Sequence, residues 1–249
     1  MNRILIEKQE LREDGTCELT GRRAAHIVNI LHPVAGQILK IGIINGPRGE
    51  GLVQQIGLEH VILKCRLEPG NGGAERVDLL LALPRPKVMK RLWAPLASFG
   101  LGRIMITNAG HVEKNYFATH WLSPDFFRPL LVEGLEQSGR TAMPDVSIHN
   151  KLKPLIEDDL GSWPVKLIAH PAAAHRLLQT RIPSAGRILL AIGPEGGWTE
   201  YELALFCDHG FVPVSLGTAV LKSDVACISA LAVLSEMIAQ DQEDLGDEV

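Results

Sequence analysis

The segment from Arg187 to Glu236 constrains the fold more than any other part of this chain, because its residues spell strand, glycine loop, helix, strand, loop and helix in direct succession. Ile188–Ile192 is a short, uninterrupted apolar run, the pattern of a strand buried on both faces inside a parallel sheet. Thr199 with Glu202 three residues later forms a capping box, predicting a helix from Glu200 to about His209 that Gly210 stops. Phe211–Leu216 reads as the next strand, and a strand returning after one helix implies a right-handed parallel crossover onto its neighbour. Ser223 then caps a last helix, apolar at Val225, Ile228, Leu231 and Leu234. The fold class is therefore α/β.

Two loops leave the carboxyl ends of these strands, Gly193–Gly197 and Gly217–Lys222, and that edge is where open α/β sheets bind ligands. Adjacent Gly196 and Gly197 expose bare backbone N–H and C=O groups to a ligand, or simply make a tight turn; both readings stand on the residues alone. No Gly-Lys-Ser/Thr follows and G-x-G-x-x-G is not matched, so the loop is not a usual phosphate loop. What the residues define is a small ligand held mainly by backbone. Ser223 and Asp224 likewise admit ordinary helix-start chemistry or a catalytic role.

The remainder divides at the linker Pro69–Gly73, giving domains 1–73 and 74–249. The first carries short alternating runs (ILIE, QILKIGIIN, GLVQQI and VILKCRL), a β-rich pattern expected to form a small barrel, with Gly46–Gly51 as a hairpin connection. The second opens strand, helix, strand: Val77–Leu83, Lys87–Phe99 kinked at Pro95, and Arg103–Thr107; another helix ends before Gly139. The net charge of −4 excludes nothing about RNA, because Asp241, Glu243, Asp244, Asp247 and Glu248 crowd the last residues in an expected disordered tail. Between Pro84 and Arg103 stand Arg85, Lys87, Lys90, Arg91 and Arg103 with no acid, a stripe suited to phosphates or to a solvated helix face. Cys17, Cys65, Cys207 and Cys227 lack metal or disulfide spacing and read as reduced packing residues; no metal site is expected. The polar start and the absence of an apolar stretch of spanning length predict a cytoplasmic protein without a membrane partner.

IGPEGGWTEYEL followed by SLGTAVLKSDVACISALAVL resembles the signature of the 16S ribosomal RNA uridine-N3 methyltransferases of the SPOUT class. EQSGRTAMPDV from Glu136, Ala169-His170-Pro171, and HIVNILHPVAGQILKIGIINGPRGEG from His26 are similar to further segments of that family. The resemblance implies a PUA-like RNA-binding β-barrel at 1–73 and a SPOUT methyltransferase domain with a trefoil knot at 74–249. It implies S-adenosyl-L-methionine as cofactor, held by Ala169, His170, Ile192, Gly193, Pro194, Glu195, Gly196, Gly197, Leu216, Gly217, Val220 and Leu221. Glu195 is expected to anchor its loop, and the loop of His170 rather than its ring to contribute. Asp224 becomes the base for the uracil N3 proton, Lys222 the cation that stabilises the uracil oxygens or grips a phosphate, and Ser223 their orienting hydroxyl. Arg85, Lys87, Gln137 and Arg140 become RNA contacts, the partner 16S ribosomal RNA or the small ribosomal subunit, and the assembly a homodimer. Where the family carries Arg-Thr-Glu-Thr, this chain has Lys222-Ser223-Asp224-Val225, and it lacks the family's Lys and Glu near Pro95 and Ser98. Those departures motivate an alternative: a divergent RNA-binding paralogue with another target or no methyl transfer.

Overall fold

The computed structural model describes residues 3–57, 59–70 and 75–246, with side chains as far as Asp241. Residues 71–73 of the expected linker lie outside the described residues. The chain forms two compact units, Met1–Ala74 with Leu131–Met143, and Glu75–Leu130 with Pro144–Val249. The sequence reading did not anticipate that the first unit takes a second, distant piece of chain.

In the first unit a mixed five-stranded sheet has the order β1-β3-β4-β5-β2, built from β1 (Ile4–Ile6), β2 (Thr16–Thr20), β3 (Ile38–Ile43), β4 (Arg48–Ile56) and β5 (His60–Leu67). β1 runs parallel to β3, and the other pairings are antiparallel. The alternating runs bury one face: Ile4, Ile6, Leu19, Ile41, Val53, Val61 and Leu63 form its core with Ala24 of helix α1 (Gly21–His26) and Ile27 just beyond. The hairpin connection is tighter than expected, since β4 already begins at Arg48. The returning segment is stitched to this sheet by backbone. Arg3 N–H donates to the Glu136 carbonyl at 2.9 Å, Asn45 N–H to that of Thr141 at 2.8 Å, and Met143 N–H to Asn45 Oδ1 at 2.7 Å.

The second unit is built on a six-stranded parallel sheet of order β11-β9-β10-β6-β7-β8. Its strands are β6 (Val77–Ala82), β7 (Leu101–Thr107), β8 (Asp145–His149), β9 (Val165–Ala169), β10 (Ile188–Ile192) and β11 (Val212–Val214). β6 and β10 are buried throughout, as their continuous apolar runs require. Helix α2 (Pro86–Ser98) runs unbroken through Pro95, α3 is Pro124–Ser138, α4 a short turn at Leu152–Pro154, α5 Glu200–Asp208 and α6 Ser223–Gly246.

Several expectations need correction. β11 is not the neighbour of β10: β9 is inserted between them, an order that hydrophobic patterning along the chain does not encode. Ser223 does not cap α6; it is the first helical residue, 5% exposed, and its buried hydroxyl has no hydrogen-bond partner among the described residues. Val225 is 45% exposed, whereas Leu231 and Leu234 are buried as expected. The acidic tail continues α6 as far as Gly246. Ser223–Asp241 does reach the length and apolarity of a membrane span, with mean hydropathy 1.3, although its first turn lines a cavity and Cys227, Ala230, Leu231 and Leu234 are buried. Burial pushes the Cys17 and Cys227 thiols up to about 12, so both are packing groups at neutral pH.

Candidate active site

β9, β10 and β11 are adjacent and parallel, so the loops after Ala169, Ile192 and Val214 leave from one edge of the sheet. Together they enclose a cavity of about 350 Å³, within the usual range for small-ligand sites. Every position named above as a cofactor contact lines it, from Ala169 and His170 through Ile192–Gly197 to Leu216, Gly217, Val220 and Leu221. Because β9 lies between the other two, its loop forms part of the wall rather than a remote edge.

The glycine loop is clamped from outside. Gly197 N–H donates to the Pro194 carbonyl at 2.9 Å, closing a turn in which Gly197 has φ +73. His111 Nδ1 donates to the Gly197 carbonyl at 2.9 Å, and a Cβ on Gly196 would stand 2.8 Å from that of His111. Glu202 completes the clamp: its carboxylate accepts from Gly110 N–H at 2.7 Å while closing the capping box with Thr199 at the start of α5. On the other side Glu195 accepts from the Arg85 backbone N–H at 3.1 Å, which ties the loop to the start of α2, the anchoring expected of it. Under the loop the buried Trp198 indole packs on Phe206, ring centroids 4.9 Å apart, and Phe206 on Phe211 at 4.8 Å.

His170 donates its backbone N–H to the Val214 carbonyl at 2.9 Å, and its Nδ1 accepts from Ala172 N–H at 3.3 Å, so its ring is turned onto its own loop. Of the three expected catalytic residues, Ser223 lines the cavity, whereas Lys222 is exposed and Asp224 lies beside the wall. Asp224 pairs with Arg91 of α2 at 2.5 Å. The Arg91 hydrogen bond holds its carboxyl below the usual carboxylate range against an opposing effect of burial. Arg85 and Lys87 belong to the second unit; Gln137 and Arg140 belong to the first, where Gln137 is exposed and Arg140 N–H donates to the Leu135 carbonyl at 3.1 Å. Sequence reasoning missed Trp198, Ala172, Val214 and Ala226 as wall residues, and named Arg91 only as part of a basic stripe. An aromatic directly after Gly-Gly was a signal for the first; nothing along the chain signals that Arg91 meets α6.

A parallel sheet whose carboxyl edge carries a backbone-lined cavity is a frame for small-molecule sites of many chemistries, and the family match says which: the chain belongs to the RNA methyltransferase domain family, which residues 73–235 match. Across nearly its whole length it is similar to "Ribosomal RNA small subunit methyltransferase E" of Treponema pallidum, 28% identical over 94% of this chain and 90% of that one. "Ribosomal RNA small subunit methyltransferase E 1" of Borreliella burgdorferi is 24% identical over 96% and 99%. Among solved structures, a "Ribosomal RNA small subunit methyltransferase E from Neisseria gonorrhoeae bound to S-adenosyl methionine" shares the fold, with TM-score 0.80, 20% identity, and coverage of 95% of this chain and 98% of that one.

Proposed function

We propose that this protein transfers a methyl group from S-adenosyl-L-methionine to N3 of a uridine in 16S ribosomal RNA. The observation that carries the reading is the cavity formed by three loops on one sheet edge, in a chain of the RNA methyltransferase family. Its residues suit the cofactor. Bare backbone at Gly193, Gly196, Gly197 and Gly217 offers donors and acceptors to polar atoms, and Ile192, Leu216, Val220 and Leu221 offer apolar walls to an adenine ring. Bound there, S-adenosyl-L-methionine supplies an activated methyl group. The protein's part is to position the acceptor and take away its proton.

Uracil N3 carries a proton at neutral pH, and Asp224 accepts it, an effect of roughly 10²- to 10⁴-fold in general-base catalysis. Lys222 stabilises the charge left on the uracil oxygens, and the Ser223 hydroxyl, without a hydrogen-bond partner among the described residues, orients the acceptor from the cavity wall. Arg85, Lys87, Gln137 and Arg140 bind the RNA backbone. In this reading residues 1–73 form a PUA-like RNA-binding barrel, which shares the first unit with Leu131–Met143, and the rest of residues 74–249 form a SPOUT domain with a trefoil knot. The protein acts as a cytoplasmic homodimer on 16S ribosomal RNA or the small ribosomal subunit; the names of its relatives support the ribosomal RNA substrate alone.

Labelled methyl transfer to small subunits lacking this modification tests the reading, with wild type beside Asp224→Ala. Incorporation at a uridine N3 that the variant loses is expected. Wild-type protein that binds cofactor and transfers nothing to 16S ribosomal RNA would end it.

A further inference from the structure

Beside α2, away from the cavity walls, the second unit carries a group of aromatic rings at its surface. His120 and Trp121 stand 4.1 Å apart between ring centroids, His120 and Phe126 4.6 Å, and Trp121 and Phe126 5.6 Å. Phe126 is 45% exposed, His120 is exposed and Trp121 half-buried, so this is surface rather than core. The group is held from beneath. The buried Trp93 donates its indole N–H to the Trp121 carbonyl at 3.0 Å and packs on Phe127, with ring centroids 4.9 Å apart. A cation tops it: Lys90 Nζ lies 4.4 Å from the centre of the Trp121 ring. Lys87 and Arg91 share α2 with Lys90, and Arg91 reaches Asp224 beside the cavity. Acidic residues flank the rings at Glu113 and Asp125, but none lies from Lys114 to Pro124 or from Arg85 to Arg103.

We propose that His120, Trp121 and Phe126, with Lys90 over the indole, form a stacking platform for unpaired nucleotides of the RNA next to the methylated base. Exposed rings fixed by a buried scaffold offer π-faces to any base, and adjoining lysines meet the phosphates that follow; this pairing is how single strands are held without sequence readout. A partner that was mainly apolar would leave the cationic side unmatched. The inference rests on the proposed RNA substrate and adds where the strand runs: along α2, from the platform past Arg91 to the cavity.

Trp121 is also the one tryptophan of four that is not buried, and the quenching lost in Trp121→Phe, relative to wild type, reports occupancy of the platform apart from that of Trp198 in the cavity wall. We expect an unstructured oligouridylate to quench the intrinsic fluorescence of the wild-type protein on binding. The double variant Lys90→Ala, Phe126→Ala should weaken that binding roughly ten- to hundred-fold, with cofactor affinity and melting temperature kept. Lys90→Ala alone should lower the salt slope of log Kd by about 0.7. With small subunits as substrate, KM should rise while kcat at saturation holds. Unchanged oligouridylate affinity and KM in the double variant would overturn the platform while leaving methyl transfer intact. Weaker binding to assembled subunits with unchanged oligouridylate affinity would overturn it too, assigning the rings to a ribosomal protein. Quenching by oligouridylate in a protein that transfers no methyl group would support the platform and remove the proposed reaction instead.

Discussion

At the scale of single residues, two carboxylates of the second unit show how setting decides role. Asp78 sits inside β6, fully buried, and accepts from the Trp163 indole N–H at 2.6 Å and from the Arg187 guanidinium. Removing it leaves a buried indole donor and an arginine without its counter-charge, so Asp78→Ala is expected to cost about 3 kcal/mol in denaturant unfolding, the lower end for a broken buried pair because Arg187 is partly exposed. A loss below 1 kcal/mol would mean that water replaces the carboxylate. Asp224 is the opposite case: its partner Arg91 is 62% exposed, and the pair matters through charge state. Because its carboxyl is held low in the folded protein, the stabilisation is fully present above the unfolded value of about 3.9, and is lost as pH falls through the lower folded value. Melting temperatures of wild type and Arg91→Ala should therefore differ by a constant amount from neutral pH to about 5 and draw together as pH falls from about 3.9 through the lower folded value. A gap that stays undiminished as far into acid as the native state survives would contradict the linkage.

At the scale of elements, the glycine loop is an assembly of close approaches. Gly196→Ala must move either its own turn or His111, whereas Gly197→Ala meets no neighbour and pays only for its left-handed φ, roughly 1–2 kcal/mol. Calorimetric titration with S-adenosyl-L-methionine should show weaker binding for both, and His111→Gly, which removes the Cβ that the new methyl meets, should restore affinity to Gly196→Ala alone. Rescue of both or of neither would mean that His111 does not set the loop. Much of this region was legible in the chain: the apolar run of β10 and the Thr199–Glu202 box stand where local pattern put them, and the residues that resemblance grouped around Ala169, Ile192 and Leu216 line one cavity. What was not legible is pairing across distance. Strand order, with β9 between β10 and β11, and the meeting of Arg91 with Asp224 depend on which faces pack, and periodicity names a face without naming its partner. β2 was missed although Cys17 and Leu19 alternate with Thr16, Glu18 and Thr20, because five residues with only two apolar positions make a short signal among polar neighbours.

At the scale of the whole molecule, the division into two units does not coincide with a single cut in the chain. Leu131–Met143 supplies the partners of the Arg3, Leu5 and Asn45 backbone amides, so residues 1–74 alone would expose those groups at the edge of the sheet. A fragment of 1–74 is expected to show no cooperative melting, and fusing 131–143 to it through a flexible linker should restore one. A sharp transition in 1–74 alone would show that the returning segment is dispensable. The same arrangement sets a schedule for the nascent chain. With synthesis at about 5–20 residues per second, the piece that completes the first unit leaves the peptidyl-transferase centre roughly 3.5–14 s after residue 74. For that interval the amino-terminal strands wait, unfinished, for a part of themselves that has yet to be translated.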